Sequence, residues 1–258
     1  MGVADLVTRD AALEDLADQH PSGQAMVDHA AGAIAATQRT DRDAHGREHY
    51  WARAVTDRPS PSGHTGAVAN VPDINYGNDV PHETQLRLCG DIGDGKRAVE
   101  LGISDWYNAL SFAEVGAKSI AVDTDPERIA ETRRRAADAE LLVQCLETDL
   151  ADLGDITSAT CSVVVAAHTI HRVDDLGRLL RQVHRILLPS MPFVISMAHP
   201  FADVGPEHPY GAGERTIGEW FTALARTNFR VDQLLELGMG PQSPAPTTLI
   251  LRARKEGS

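Results

Sequence analysis

The chain has little cysteine, few aromatic residues and an excess of acidic over basic groups. Its three cysteines, Cys89, Cys145 and Cys161, show no metal-ligand spacing. Cys145 and Cys161 lie inside apolar runs and read as buried thiols, so a reducing, cytoplasmic compartment is expected. Lys and Arg number 24 against 37 Asp and Glu, a formal net charge of −13. That balance argues against nucleic acid and anionic membrane as partners, because phosphate binding needs clustered cations. The one basic cluster, Arg133 to Arg135, fits a solvated helix face. The longest apolar run, around Val163 to Ala167, is far too short to span a bilayer. No signal peptide is visible, and Leu6 stands where a myristoylation signal starting at Gly2 needs Ser or Thr. A small-molecule partner is expected, with no resident metal. The oligomeric state is left open, a homodimer being one option.

What is present is a regular alternation. Arg97 to Pro126 reads as strand, tight loop, helix, strand and acidic loop. Ala98, Val99 and Leu101 form the first strand and Gly102 breaks it. A helix is expected over Asp105 to Val115, and a second apolar strand over Lys118 to Val122. Asp125 and Pro126 suit the N-cap and first position of the next helix. Further strands are expected over Leu141–Leu146, Cys161–Ala167 and Phe193–Met197. Asp174 or Asp175 caps an amphipathic helix with Leu176, Leu179, Leu180, Val183, Ile186 and Leu187 on one face. Thr216 caps a helix running through Leu224. Phe229–Leu237 and Thr247–Ala253 have only a loop between them, which forces antiparallel pairing. Ahead of this lie helical patterns over residues 1–55, a loop rich in Pro, Ser, Gly and Asn from Thr56 to Pro81, read as an ordered cover or a mobile lid, and a short helix over Glu83–Cys89. The expected boundary separates a helical cover and loop, residues 1–82, from an α/β domain, residues 83–258.

Two parallel strands with a crossover helix bring loop backbone and a helix N-terminus to one sheet edge, where open α/β sheets bind ligands. Asp123 falls about 20 residues after Gly102, where an acid can take ribose hydroxyls. The landmarks VELG, AVDTDP, ETDLADL, VDDLGRLLRQVHRILLP and SMAHP, with a tail NFRVDQLLE…PTTLILRARK, resemble the class I S-adenosylmethionine-dependent methyltransferases. The resemblance covers residues 97 to 254. It implies a Rossmann-like, mostly parallel seven-stranded sheet with an antiparallel last strand, S-adenosylmethionine as cofactor, and transfer of its methyl group to a small acceptor through an O, N or C atom. It places Glu100 and Gly102 in the glycine-rich first motif and Asp123 on the ribose, with Thr124 beside the adenine. Asp149 and Leu150 fall at the adenine, Ala167 and His168 beside the cofactor's amino acid, and Tyr76 and Gly77 in a loop that closes over it.

The sequence departs from the family at the loop. Ser104 and Trp106 replace the second and third glycines of E-x-G-x-G-x-G, and Tyr107 adds another ring. Ser104 could bond the cofactor's carboxylate. Trp106 would either push the helix away from the strand or turn into the acceptor pocket. A methyltransferase-like scaffold that has weakened or lost cofactor binding is therefore an alternative, and a nucleotide-dependent oxidoreductase is another, against which the missing GxGxxG counts. His168 and His171 are candidate general bases, since imidazole titrates near neutrality. His199, before Pro200, is expected to fix a loop. Tyr50, His208 and Tyr210 are lesser pocket candidates.

Overall fold

A computed structural model of the chain describes residues 71–258 other than 79, 94, 172, 203, 240–244 and 258. The helices expected over residues 1–55, Tyr50, and the first part of the expected cover loop lie outside the described residues. The elements in chain order are α1 (Glu83–Leu86), β1 (Arg97–Leu101), α2 (Asn108–Glu114), β2 (Lys118–Asp123), α3 (Pro126–Asp138), β3 (Val143–Glu147), β4 (Cys161–Ala167), α4 (Leu176–Ile186), β5 (Pro192–Ala198), α5 (Ile217–Arg226), β6 (Phe229–Leu237) and β7 (Thr248–Lys255). The strands form a seven-stranded sheet in the order β3-β2-β1-β4-β5-β7-β6. β1 to β5 pair in parallel, and β7 runs antiparallel to both β5 and β6. The chain reverses direction across the sheet at β1 and β4, so the carboxyl ends of those strands open a crevice.

Side chains alternate between the two faces of each strand. Val99 and Leu101 join one core with Leu179, Leu180, Val183 and Ile186 of α4 and Trp220 and Leu224 of α5. Ala98 turns to the other face with Phe112 of α2, Ile74, Tyr76, Leu86 and Leu88. Glu100 therefore points beneath α2, a placement that decides the site. Ile74, Tyr76 and Val80 pack within the core of the sheet domain, ahead of the boundary expected at residue 83. Over its described part, the expected cover loop has neither helix nor strand and buries Ile74, Tyr76 and Val80 in the core.

Most caps are as the sequence suggests. The Asp125 side chain accepts from Glu127 N, that of Asp175 from Arg178 N, and Thr216 with Glu219 closes a reciprocal capping box. Two helices are shorter than expected. α2 begins at Asn108 instead of Asp105, because Tyr107 adopts a left-handed conformation and offers no side-chain cap. α1 ends at Leu86, where Arg87 turns left-handed. In both cases a carboxylate captures N–H groups that a longer helix would have used: Glu100 of β1 for α2, and Glu83 of α1 itself for Leu88 and Cys89. β6 carries a bulge between Val231 and Gln233, and its extra residue, Asp232, binds both Arg252 and Arg254 of β7.

Candidate active site

The loop after β1 is built around the Glu100 carboxylate. Its Oε1 accepts from Ser104 N at 3.0 Å, Ser104 Oγ at 2.7 Å and Asn108 N at 3.1 Å, and its Oε2 accepts from Ala109 N at 2.8 Å. The side chain is fully buried. Burial pushes its carboxyl above the usual range, and these donors oppose the shift. Every one of those partners donates, so the geometry holds the charged form. Glu100 thus replaces the missing N-cap of α2 and ties strand, loop and helix together. This corrects the sequence reading of two residues. Glu100 is an internal brace with no face to a ligand, and the Ser104 hydroxyl turns inward to Glu100, away from any cofactor carboxylate.

Gly102 has φ +75°, and a Cβ there would lie 2.3 Å from the Thr169 Cβ. Thr169 in turn donates its hydroxyl to Leu101 O at 2.6 Å. The glycine is demanded by its backbone and by the end of β4 pressing on it. Asp123 closes the other side. Its Oδ2 accepts from Ile103 N at 2.6 Å and its Oδ1 from Asp125 N at 2.9 Å. The carboxylate is fixed by one N–H on each oxygen, leaving further lone pairs for hydroxyl donors. Thr124 beside it is exposed. Thr148 N donates to Asp123 O, which sets the end of β3 alongside. There Asp149 uses Oδ1 to receive Ala151 N at 2.6 Å, while Leu150 lies half-buried against the core. Asp123, Thr124, Asp149 and Leu150 are therefore brought together at one edge. They fit the adenosine half of S-adenosylmethionine: hydroxyl acceptors, an exposed polar neighbour and an apolar side chain for a ring.

Ala167 is fully buried, backbone and side chain alike. His168 follows it with φ +59°, unusual for a residue other than glycine. Its Nε2 lies 3.1 Å from Tyr76 O. Its ring centroid is 5.7 Å from that of Trp106, at 66°. Burial holds the His168 imidazole below its ordinary range, and His171 nearby adds to this, while the bond to the Tyr76 carbonyl opposes it. His171 is half-buried, and its carbonyl receives Arg215. Trp106 rests on the pre-strand cluster and reaches toward His168. Tyr107 is harmless to the site, because its ring lies 3.9 Å beneath the Arg135 guanidinium on α3.

Tyr76 requires a correction. Its side chain is wholly buried, with the hydroxyl donating to Glu83 Oε2 at 2.8 Å. What this residue offers the crevice is its carbonyl. Asn75 and Asn108 clasp each other, Asn75 N to Asn108 Oδ1 at 2.9 Å and Asn108 Nδ2 to Asn75 O at 3.0 Å. Sequence reasoning missed Asn108, Glu83 and Thr169. Only the Asn at a helix start gives a sequence signal; the other two act through contacts far along the chain. His199 fixes its loop as expected, with Nδ1 receiving Phe201 N and Nε2 facing Glu236 Oε1 at 2.9 Å. His208 and Tyr210 stand exposed in that loop. A cavity of about 370 Å³ opens there, lined by Ala198, His199, Pro200, Val204, His208 and Pro209 among others.

A doubly wound sheet with this strand order, an antiparallel hairpin at its end and a carboxylate-braced loop at the switch point is the fold of the class I methyltransferases. Residues 99–195 match the family model described as a methyltransferase domain. It is 24% identical over 159 residues to a probable S-adenosylmethionine-dependent methyltransferase of Mycolicibacterium smegmatis, spanning 60% of this chain and 60% of that relative. In fold it is similar to an S-adenosylmethionine-dependent methyltransferase from Mesorhizobium loti, with TM-score 0.53, 23% identity, and coverage of 64% of this chain and 92% of the other. It is likewise similar to one from Aquifex aeolicus, with TM-score 0.55, 18% identity, and coverage of 67% and 88%.

Proposed function

We propose that this chain transfers the methyl group of S-adenosylmethionine to a nucleophilic O, N or C atom of a small molecule in the cytoplasm, with His168 as the general base. The observation that carries the reading is His168 itself. It stands at the carboxyl end of β4 in a strained backbone, half-buried beside the crevice, with its Nε2 engaged by a carbonyl. Strained residues gather at functional sites. When bound, the cofactor supplies an activated methyl on a sulfonium. The chain's own residues do the rest. Asp123 holds the ribose side and Asp149 with Leu150 the adenine side. Trp106 and the segment Ile74–Gly77 wall the crevice and exclude water, which aligns the acceptor and prevents hydrolysis. His168 takes the acceptor's proton at Nδ1. The strongly negative balance of the chain supports a small acceptor over nucleic acid or a membrane surface.

The test is calorimetric titration with S-adenosylhomocysteine. Wild-type protein is expected to bind. Because Trp106 turns toward His168 and not into the β1–α2 contact, Trp106→Gly is expected to leave that affinity within about fivefold, the added backbone freedom being worth roughly 0.5–1 kcal/mol. No heat in either protein at millimolar ligand would leave a scaffold role in place of an enzyme.

His168 also gives a pH dependence. Its folded value is depressed, so the unfolded chain binds the proton more tightly. Its contribution to stability is full above the unfolded value of about 6.5 and is lost as pH falls through the depressed folded value. Urea unfolding at stepped pH is expected to show this loss in wild type and a smaller one in His168→Gln. Equal pH slopes in the two proteins would contradict it.

A further inference from the structure

Behind His168 lies a group of buried polar side chains that the proposed reaction does not use. The Glu83 carboxylate is fully buried and receives Tyr76 OH at 2.8 Å, Leu88 N at 2.8 Å and Cys89 N at 2.7 Å. Cys89 Sγ lies 3.1 Å from the same phenol oxygen. Glu83 N also donates to Ile74 O. The segment from Ile74 to Gly77 is thus bolted from below by Glu83 and from the side by the Asn75–Asn108 clasp. Asn108 N is in turn bound to Glu100. One rigid frame joins the brace of the glycine loop to the carbonyl that meets His168.

We propose that Glu83 and Tyr76, with Gly77, are positioning residues that lock His168 in a single tautomer. This rests on the reading of His168 as the base. A carbonyl oxygen only accepts, so the imidazole nitrogen on Tyr76 O must carry the hydrogen. That assigns Nε2–H, and it leaves the lone pair on Nδ1, which has no partner among the described residues. A base must present its lone pair to the acceptor, so the tautomer decides whether His168 can act. The Tyr76 carbonyl is held by the phenol anchor on the other end of the same residue. Gly77 supplies the clearance: a Cβ there would come within 3.1 Å of His168 Nε2 and 3.2 Å of Thr248 Oγ1. A Cβ at that position would crowd the imidazole nitrogen, which would have to give by a few tenths of an ångström against its carbonyl. The groups facing the imidazole are the Tyr76 carbonyl, the Trp106 ring, Thr248 across Gly77, and His171.

The experiment is nitrogen-15 NMR of the histidine rings in the full chain at neutral pH, with His168 assigned by its absence in His168→Gln. Wild type is expected to show a single Nε2–H tautomer with a ring proton protected from solvent exchange. Tyr76→Phe keeps the ring and removes the anchor. Gly77→Ala leaves the anchor and removes the clearance. Each is expected to lose the protected ring proton and to show averaged nitrogen shifts, a change that mere loss of stability in a folded variant would not produce. A wild-type His168 in the Nδ1–H form, or a spectrum unchanged in both variants, would overturn the proposal. Calorimetry with S-adenosylhomocysteine on the same samples separates the two levels. Retained heat with lost ring protection supports the positioning role, whereas an intact wild-type ring signature without heat would remove the base assignment and this role with it.

Discussion

Replacing Glu100 with Ala is expected to cost the fold roughly 3–6 kcal/mol, since each buried donor left without a partner costs about 1–3 kcal/mol and the losses are not additive. The donors are Ser104 N, Ser104 Oγ, Asn108 N and Ala109 N. None can turn to water, because Ser104, Asn108 and Ala109 are all buried. Glu100→Gln is the sharper variant. It keeps the volume of the side chain but aims an amide NH2 at backbone N–H groups, so it is expected to lose nearly as much. Equilibrium urea unfolding of both variants measures this. A loss below about 1 kcal/mol in Glu100→Ala would show that the loop finds other acceptors, and would demote Glu100 from brace to bystander.

The second large effect separates two neighbouring aspartates. Asp123→Ala is expected to weaken S-adenosylhomocysteine binding by more than tenfold, or more than about 1.4 kcal/mol. It is also expected to destabilise the fold by about 2–3 kcal/mol, because Ile103 N and Asp125 N lose their acceptor. Asp125→Ala removes only the cap on Glu127 N and is expected to cost about 1 kcal/mol with affinity unchanged. Calorimetry and unfolding on both variants decide it. Equal losses of affinity would end the assignment of Asp123 to the ribose.

The architecture was legible because apolar periodicity and capping residues act locally. Asp125 with Pro126, Asp175 and Thr216 each start a helix where the sequence says they should, and the short connection after Leu237 imposes the antiparallel hairpin. The helix boundaries that went astray, the start of α2 and the end of α1, share one cause. Glu100 takes the first N–H groups of α2, and Glu83 takes those of Leu88 and Cys89. A side-chain carboxylate folded back onto backbone N–H groups leaves no trace in a propensity pattern. The site divides in the same way. Asp123 and Asp149 could be placed because strand ends are readable. The inward turn of Ser104, the burial of Tyr76 and the direction of Trp106 depend on loop dihedrals such as the left-handed Tyr107, which the sequence of bulky residues does not announce.

The bulge at Asp232 lets one edge strand serve two masters. Before it, Phe229 and Val231 belong to the core beneath α4 and α5; beyond it, Leu235 and Leu237, also odd-numbered, lie against the opposite core with Tyr76 and Phe112. The extra residue has inverted the alternation, and its carboxylate pins the inversion by gripping two arginines of the neighbouring strand. The last strand pair therefore works as a seam stitched through both layers. Peeling it away strips apolar cover from each, so the layers melt together. The kink also presents incoming strands from other molecules with a broken row of hydrogen-bonding groups, which guards the exposed margin of the sheet against edge-to-edge pairing.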